Sequence, residues 1–401
     1  MRPWVLAGLA MFLVNVQGVR AQELIAPHYL QLLEEVVDIN TDSNNVEGLN
    51  RVRRVLIPQF EALGLVVSHH PLADGHEALS FETANARPTI VLIGHLDTVF
   101  PASSPFQHLS RQEDRLTGPG VIDMKGGVVL MLDTLAQLKR SGHLDNVRVV
   151  LNDDEEIGSV RSKPVLQQLS QGLAYGLVFE PGLEDGAYVS SQSGIRWVKL
   201  TTTGKASHAG LEPENGIDAC LDLAIKIQKI AALARPDQGL LINPGVIEGG
   251  TKPNVVCDKA SVTIDVRFQQ LEDWASTVTA LDKISDHSDI YNQTLKQGTH
   301  SEWVKLAEMP VLPATGSRVV VAVGNEVAKS LGQTFKARAV GYGSDGNNIA
   351  SGDIQILVGL GPYGGGMHSE KEFMQLSSYR ERLIFATALI RKLNPATRIT
   401  P

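Results

Sequence analysis

Four short, predominantly apolar runs in this chain each give way to histidine or carboxylate side chains. Thr89 to Gly94 runs into His95-Leu96-Asp97-Thr98, and Val147 to Leu151 leads to Asp153-Asp154-Glu155-Glu156. Leu177 to Phe179 runs into Glu180-Pro181, and Ile354 to Gly359 is followed by Met367-His368-Ser369. Runs of this length without polar alternation suit strands buried on both faces of a sheet. Helical patterns at Gly127 to Arg140, Val319 to Leu331 and Ser377 to Leu393 separate and follow them, and two more, Pro27 to Asp38 and Val46 to Leu63, come first. The expected fold is therefore α/β, a mixed sheet covered by helices. In open sheets of this kind functional groups gather just past the carboxyl ends of the strands, which is where these acids and histidines fall.

The pattern changes between about Ile195 and Glu308. Trp197 to Thr203, Gly245 to Glu248, Lys259 to Phe268 and Thr294 to His300 read as strands, and Ile217 to Leu233 and Leu271 to Ile284 as helices. A small α+β unit inserted into the larger one explains this, with Gly194, Gly204, Pro310 and Pro313 at its edges. A length of 401 residues leaves room for both cores. The expected division is residues 22–194 and 310–401 for the larger unit and 195–309 for the insertion.

The first residues differ from the rest. Arg2 precedes the apolar run Trp4 to Val16, and Val19-Arg20-Ala21 has the small residues that a signal peptidase reads. A signal peptide over residues 1–21 is expected, and with it export to a periplasm or out of the cell, with no membrane attachment after cleavage. A net charge of −8 disfavours nucleic acid as a partner, because phosphate binding needs surplus Lys and Arg. A small molecule is the better substrate. Cys220 lies on the apolar side of a helical pattern and Cys257 follows Val255-Val256. Both read as core packing rather than as ligands or a bridge. A metal site would then be built from histidine and carboxylate.

A fifth cluster, Gly120-Val121-Ile122-Asp123-Met124-Lys125-Gly126-Gly127, lies in a glycine-rich loop that opens a helix. Two histidines with three or four carboxylates suit two zinc ions, since zinc accepts both ligand types and a shared carboxylate can hold the ions about 3.5 to 4 Å apart. Taken singly, His95-Leu96-Asp97 could be a structural histidine, Glu155-Glu156 a solvated turn and Asp123 a helix cap. Together, each at a strand end or loop mouth, they read as a site. Adjacent glutamates have a specific use there. One ligates metal while its neighbour takes a proton from the metal-activated water.

These motifs resemble the di-zinc aminoacylase/carboxypeptidase family, especially glutamate carboxypeptidases of the carboxypeptidase G type. The resemblance runs from about Pro27 to Leu393. It rests on His95-Leu96-Asp97-Thr98, Gly118-Pro119-Gly120 through Gly127, Asp154-Glu155-Glu156-Ile157-Gly158-Ser159, Gly204-Lys205-Ala206-Ser207-His208-Ala209-Gly210 and Met367-His368-Ser369, in that order. It implies a zinc-exopeptidase catalytic domain and two zinc ions per subunit, one on His95 and Glu180, the other on Glu156 and His368, with Asp123 bridging. Glu155 is then the general base and later the proton donor to the leaving amine, and Asp97 the partner that orients His95. The inserted unit becomes a lid that also forms a homodimer interface. His208 would reach the partner subunit's active site and stabilise the oxyanion. Asn254 and Arg267 would bind the substrate's terminal carboxylate. Met309-Pro310 stands where G-type relatives carry arginine before proline, and Gly343 to Asn348 reads as a loop lining the substrate.

The implied activity is metal-dependent hydrolysis that frees a C-terminal amino acid, glutamate or similar, from an N-acyl or peptide substrate, with metal-bound water as nucleophile. An aminoacylase- or dipeptidase-type deacylase keeps the same chemistry on another substrate. A non-catalytic exported peptide-binding protein is the alternative of a different class. Glu155 argues against it, since a binder has no need of a base beside its ligands.

Overall fold

The structure is a computed structural model that describes residues 24–393, so the expected signal peptide lies outside the described residues. The four apolar runs form the middle of an eight-stranded sheet. Its order is Leu65–Pro71, Glu77–Thr83, Val147–Asn152, Ile90–His95, Tyr175–Val178, Gln355–Val358, Tyr188–Gln192 and Ala337–Val340. Val147–Asn152, Ile90–His95, Tyr175–Val178 and Gln355–Val358 run parallel, and antiparallel neighbours make the sheet mixed. Successive side chains of a strand point to opposite faces. Accordingly Ile90 and Leu92 join the core beneath helices Pro27–Val37, Lys125–Arg140 and Leu376–Leu393, while Val91 and Ile93 join a second core with Leu166 and Ile349. A strand buried on both sides has no room for polar alternation, hence its continuous apolar run.

Register carries this order to the site. Ile93 pairs with Val178 and His95 with Asn152. Two residues past Val178, Glu180 comes level with His95. A smaller sheet joins Gly364–Gly365, Phe373–Gln375, Arg115–Thr117 and Ser110–Gln112, and the turn carrying His368 hangs between its first two strands.

The inserted unit is an antiparallel sheet of Leu241–Gly249, Lys259–Phe268, Gly194–Thr203 and His300–Met309. Helices Ala219–Ala231 and Leu271–Asp286 supply residues to its core, where Leu223, Ile230 and Leu281 meet Val198, Leu200, Val262 and Ile264. Trp197, Val246, Val304 and Leu306 remain exposed. The expectation of a mixed α/β sheet with an inserted α+β unit is met. Among the described residues no helix is long and apolar enough to cross a membrane.

Two local expectations fail. The strand expected at Thr294 to His300 is a two-residue hairpin arm, Gln297–Gly298, and the long strand is His300–Met309. That edge strand exposes Glu302, Val304, Lys305, Leu306 and Glu308, so it lacks the buried alternation that marks a strand. The cysteines are not simply core packing either. Cys220 and Cys257 form a disulfide. Ala219 N donates to Cys257 O at 2.8 Å, which sets the first turn of helix Ala219–Ala231 against the segment entering strand Lys259–Phe268.

Candidate active site

The five expected metal ligands converge. His95 Nε2 lies 3.3 Å from Asp123 Oδ1 and 3.7 Å from Glu180 Oε1. His368 Nε2 lies 3.2 Å from both Asp123 Oδ2 and Glu156 Oε2. The donor atoms of His95, Asp123 and Glu180 sit within 4.8 Å of one another, as do those of Asp123, Glu156 and His368. Asp123 belongs to both groups and turns one oxygen to each histidine, the arrangement a bridging carboxylate requires. It sits on a cis peptide bond to Met124 at the mouth of helix Lys125–Arg140, and His368 adopts a positive φ of 61° in its turn.

Asp97 does more than orient one ring. His95 Nδ1 donates to the Asp97 backbone oxygen at 3.1 Å, with Asp97 Oδ1 at 3.3 Å, which leaves Nε2 free to ligate. The buried Asp97 carboxylate also accepts from Glu155 N and Glu156 N, each at 3.1 Å, and from Ser43 Oγ at 2.7 Å. It therefore fixes the turn that carries both glutamates. Glu155 belongs to neither ligand group, yet Glu180, His95 and Glu156 are among its electrostatic neighbours.

Four carboxylates share this buried space with two imidazoles. Burial and the neighbouring acids push Glu155 and Glu180 well above the usual carboxylate range, and Glu156 is pushed up to about 7 by burial and the Asp123 charge. Burial works against the Asp123 charge, but hydrogen bonds from His368 and His95 hold its pKa low. Contacts with Asp123 and Glu156 raise His368 to about 10. For His95, burial opposes the proton, and Glu180, Asp123 and Asp97 outweigh it. Such an excess of buried negative charge is relieved by cations, and the mixed imidazole and carboxylate donor set fits zinc.

The residues of the inserted unit lie elsewhere. His208 is exposed, and its Nδ1 accepts from Gly210 N and Leu211 N, each at 3.1 Å. Its proton in the neutral ring is therefore on Nε2. Asn254 is a close neighbour, because Ala209 N donates to its backbone oxygen at 3.0 Å. Arg267 is near the far end of strand Lys259–Phe268, which begins a few residues after Asn254, with Nε on Asp265 Oδ2 at 2.8 Å and Nη1 on Gly341 O at 3.1 Å. Lys259 to Arg267 alone spans about 25 Å at roughly 3.3 Å per strand residue. Asn254 and Arg267 of one chain thus cannot grip one carboxylate.

Other acids near the site serve as braces. Asp153 binds Arg53 Nη1 at 2.5 Å and His76 Nδ1 at 3.1 Å, and Asp154 accepts from Arg161 N at 2.7 Å. Gly343 to Asn348, read from the sequence as lining substrate, is largely committed inward. Asp345 accepts from Ser159 Oγ at 2.5 Å and Asn152 Nδ2 at 2.8 Å, and Asn347 Nδ2 donates to Ser193 O and Pro310 O where the chain enters and leaves the insertion. Sequence reasoning missed Ser43, Arg53 and His76, whose partners lie 54 to 100 residues away.

Residues 91–392 match the model of peptidase family M20/M25/M40, a span that contains every metal-ligand candidate. The chain belongs to that family. As an M20-family protein it is a hydrolase, and carboxypeptidases, dipeptidases and other peptidases are among its relatives. Carboxypeptidase G2 of Pseudomonas sp. (strain RS-16) is 28% identical over 380 residues, covering 92% of this chain and 89% of the relative. The M20 fold recurs in aminopeptidase PepT of Bacillus cereus, with a TM-score of 0.76 at 22% identity over 92% of this chain and 99% of that one. It recurs again in an M20 family metallo-carboxypeptidase of Sulfolobus solfataricus, with a TM-score of 0.68 at 17% identity over 92% of this chain and 100% of that one.

Proposed function

We propose that this M20-family hydrolase is an exported, homodimeric zinc carboxypeptidase that frees a C-terminal amino acid, glutamate or similar, from an N-acyl or peptide substrate. The observation that carries the reading is the Asp123 carboxylate, split between His95 and His368 with Glu180 and Glu156 at hand. His95, Glu180 and one Asp123 oxygen would hold one zinc ion, and Glu156, His368 and the other oxygen the second. Zinc bound there supplies Lewis acidity, polarising the scissile carbonyl and making water acidic enough for a nearby carboxylate to deprotonate.

The rest of the chemistry falls to the chain. Glu155 takes the proton of the attacking water and returns it to the leaving amine nitrogen. A carboxylate next to the ligand group but outside it can carry that proton between the two steps. His208, with Nδ1 occupied by backbone donors, has Nε2–H to offer the developing oxyanion. Arg267 presents a two-pronged donor to the substrate carboxylate. The separation of His208 and Asn254 from Arg267 favours a site completed by two chains, with the first pair coming from the partner. Export draws support from the N-terminal apolar run and from the Cys220–Cys257 disulfide, a bond that persists in oxidising compartments.

The experiment is a panel of N-acyl amino acids and short peptides given to zinc-loaded native protein and to Glu155→Gln. The native enzyme is expected to release the C-terminal residue, and the variant to lose about 10²-fold or more in kcat with its zinc retained. Binding without cleavage across the panel would favour a peptide-binding protein, and cleavage from the amino end an aminopeptidase. Zinc loss in Glu155→Gln would mean that the roles of Glu155 and Glu156 are reversed.

A further inference from the structure

Glu372 is a fully buried acid four residues beyond His368 that the chemistry above does not use. Its Oε1 accepts from Ile122 N at 2.9 Å and Asp123 N at 3.2 Å, and its Oε2 accepts from Gly120 N at 3.2 Å. Gly120 has a φ of +73°, and a Cβ there would come within 2.6 Å of Thr98 Cγ2. The turn made at this glycine points the N–H groups of residues 120, 122 and 123 into one concavity, a backbone arrangement that binds anions. Lys125 is buried with Nζ on Ile39 O at 2.9 Å, and burial pushes it down to about 7 against the opposing charge of Glu372.

The stretch between Gly364 and Gln375 therefore meets Asp123 twice. His368 faces its carboxylate at 3.2 Å, and Glu372 holds its backbone. We propose that Glu372 is the positioning residue of the metal bridge, fixing Asp123 against His368 and thereby setting how tightly the paired cations are held. The inference rests on the two-metal reading. A carboxylate is needed because three N–H groups converge on two oxygens, and an acid is an acceptor at both. Glutamine would set an NH2 donor against at least one N–H. Aspartate would keep the charge and fall short of the loop.

The test uses full-length protein and measures zinc affinity by chelator competition for native, Glu372→Gln and Glu372→Asp, together with thermal melting of the metal-free and zinc-loaded forms. Both variants are expected to bind zinc about 10- to 100-fold more weakly. Their metal-free melting temperatures should fall by a few degrees, as for any stranded buried donor, zinc should raise them less than it raises native protein, and excess zinc should restore kcat. Native zinc affinity in both variants would overturn the proposal. So would a lowered metal-free melting temperature with zinc affinity intact, or failure of both variants to fold, since either would make Glu372 a brace of the fold. If native protein itself binds no zinc, the metal-centre reading fails instead, which is a separate result.

Discussion

Replacing Asp97 tests how the glutamate turn is held. Its carboxylate is the acceptor for Glu155 N and Glu156 N at 3.1 Å and for Ser43 Oγ at 2.7 Å. In Asp97→Ala the serine hydroxyl can rotate to another acceptor, but the two N–H groups are fixed by their turn. Each stranded donor costs about 1–3 kcal/mol, so the loss is about 2–6 kcal/mol, against a total stability of about 5–15 kcal/mol for a typical domain. Asp97→Asn keeps one oxygen and sets an NH2 against the other N–H, which roughly halves the loss to about 1–3 kcal/mol. The asparagine variant also keeps the backbone oxygen that accepts from His95 Nδ1 at 3.1 Å, so His95 should hold its tautomer. The main damage should reach Glu155, where a displacement near 1 Å can lower kcat by about 10²-fold. Urea unfolding, zinc retention and kcat on one substrate separate these effects. A normal kcat and unfolding midpoint in Asp97→Asn would refute the claim that this carboxylate sets the glutamate turn.

Reduction of Cys220–Cys257, whose partners are 37 residues apart, should lower the unfolding free energy by about 4 kcal/mol on the chain-entropy relation. An unchanged urea midpoint with reductant, or two titratable thiols in the denatured native protein, would count against the bridge. Zinc affinity should fall as pH is lowered. Glu156, raised to about 7, and His368, raised to about 10, must shed protons to ligate, so protons compete with the metal and zinc binding releases them. Calorimetry in buffers of differing ionisation heat reads that release, and equal affinity at pH 6 and pH 8 would contradict it. His208→Ala should lower kcat by about 10²-fold with the dimer intact by sedimentation. Mixed with Glu155→Gln subunits it should regain activity, because one site of the hybrid then has both groups, and no recovery would rule out the cross-subunit role.

The centre of the fold was legible because a strand buried on both faces must be largely apolar, as Ile90–His95, buried at every position, is up to its last residue. The edge strands carry no such mark. Leu65–Pro71 has one buried residue and Ala337–Val340 none, and such surface segments read like any polar stretch. The candidate metal ligands were visible for a related reason. Parallel register levels the strand ends, so His95 and Glu180 needed only to follow their apolar runs to meet.

What stayed hidden depends on partners far along the chain. Cys220 and Cys257 have apolar neighbours, and those neighbours explain burial without revealing that the two sulfurs meet. Glu372 has no local signature, because its partners are backbone N–H groups some 250 residues earlier. Asn254 and Arg267 fail in the opposite sense, being close in sequence but set apart by an extended strand. A ten-residue strand separates what a helix of equal length would bring within about 15 Å. If one site uses His208, Asn254 and Arg267 together, a strand of that length leaves the first two at one end and Arg267 at the other, so the proposed site needs a second chain to bring both ends to one substrate.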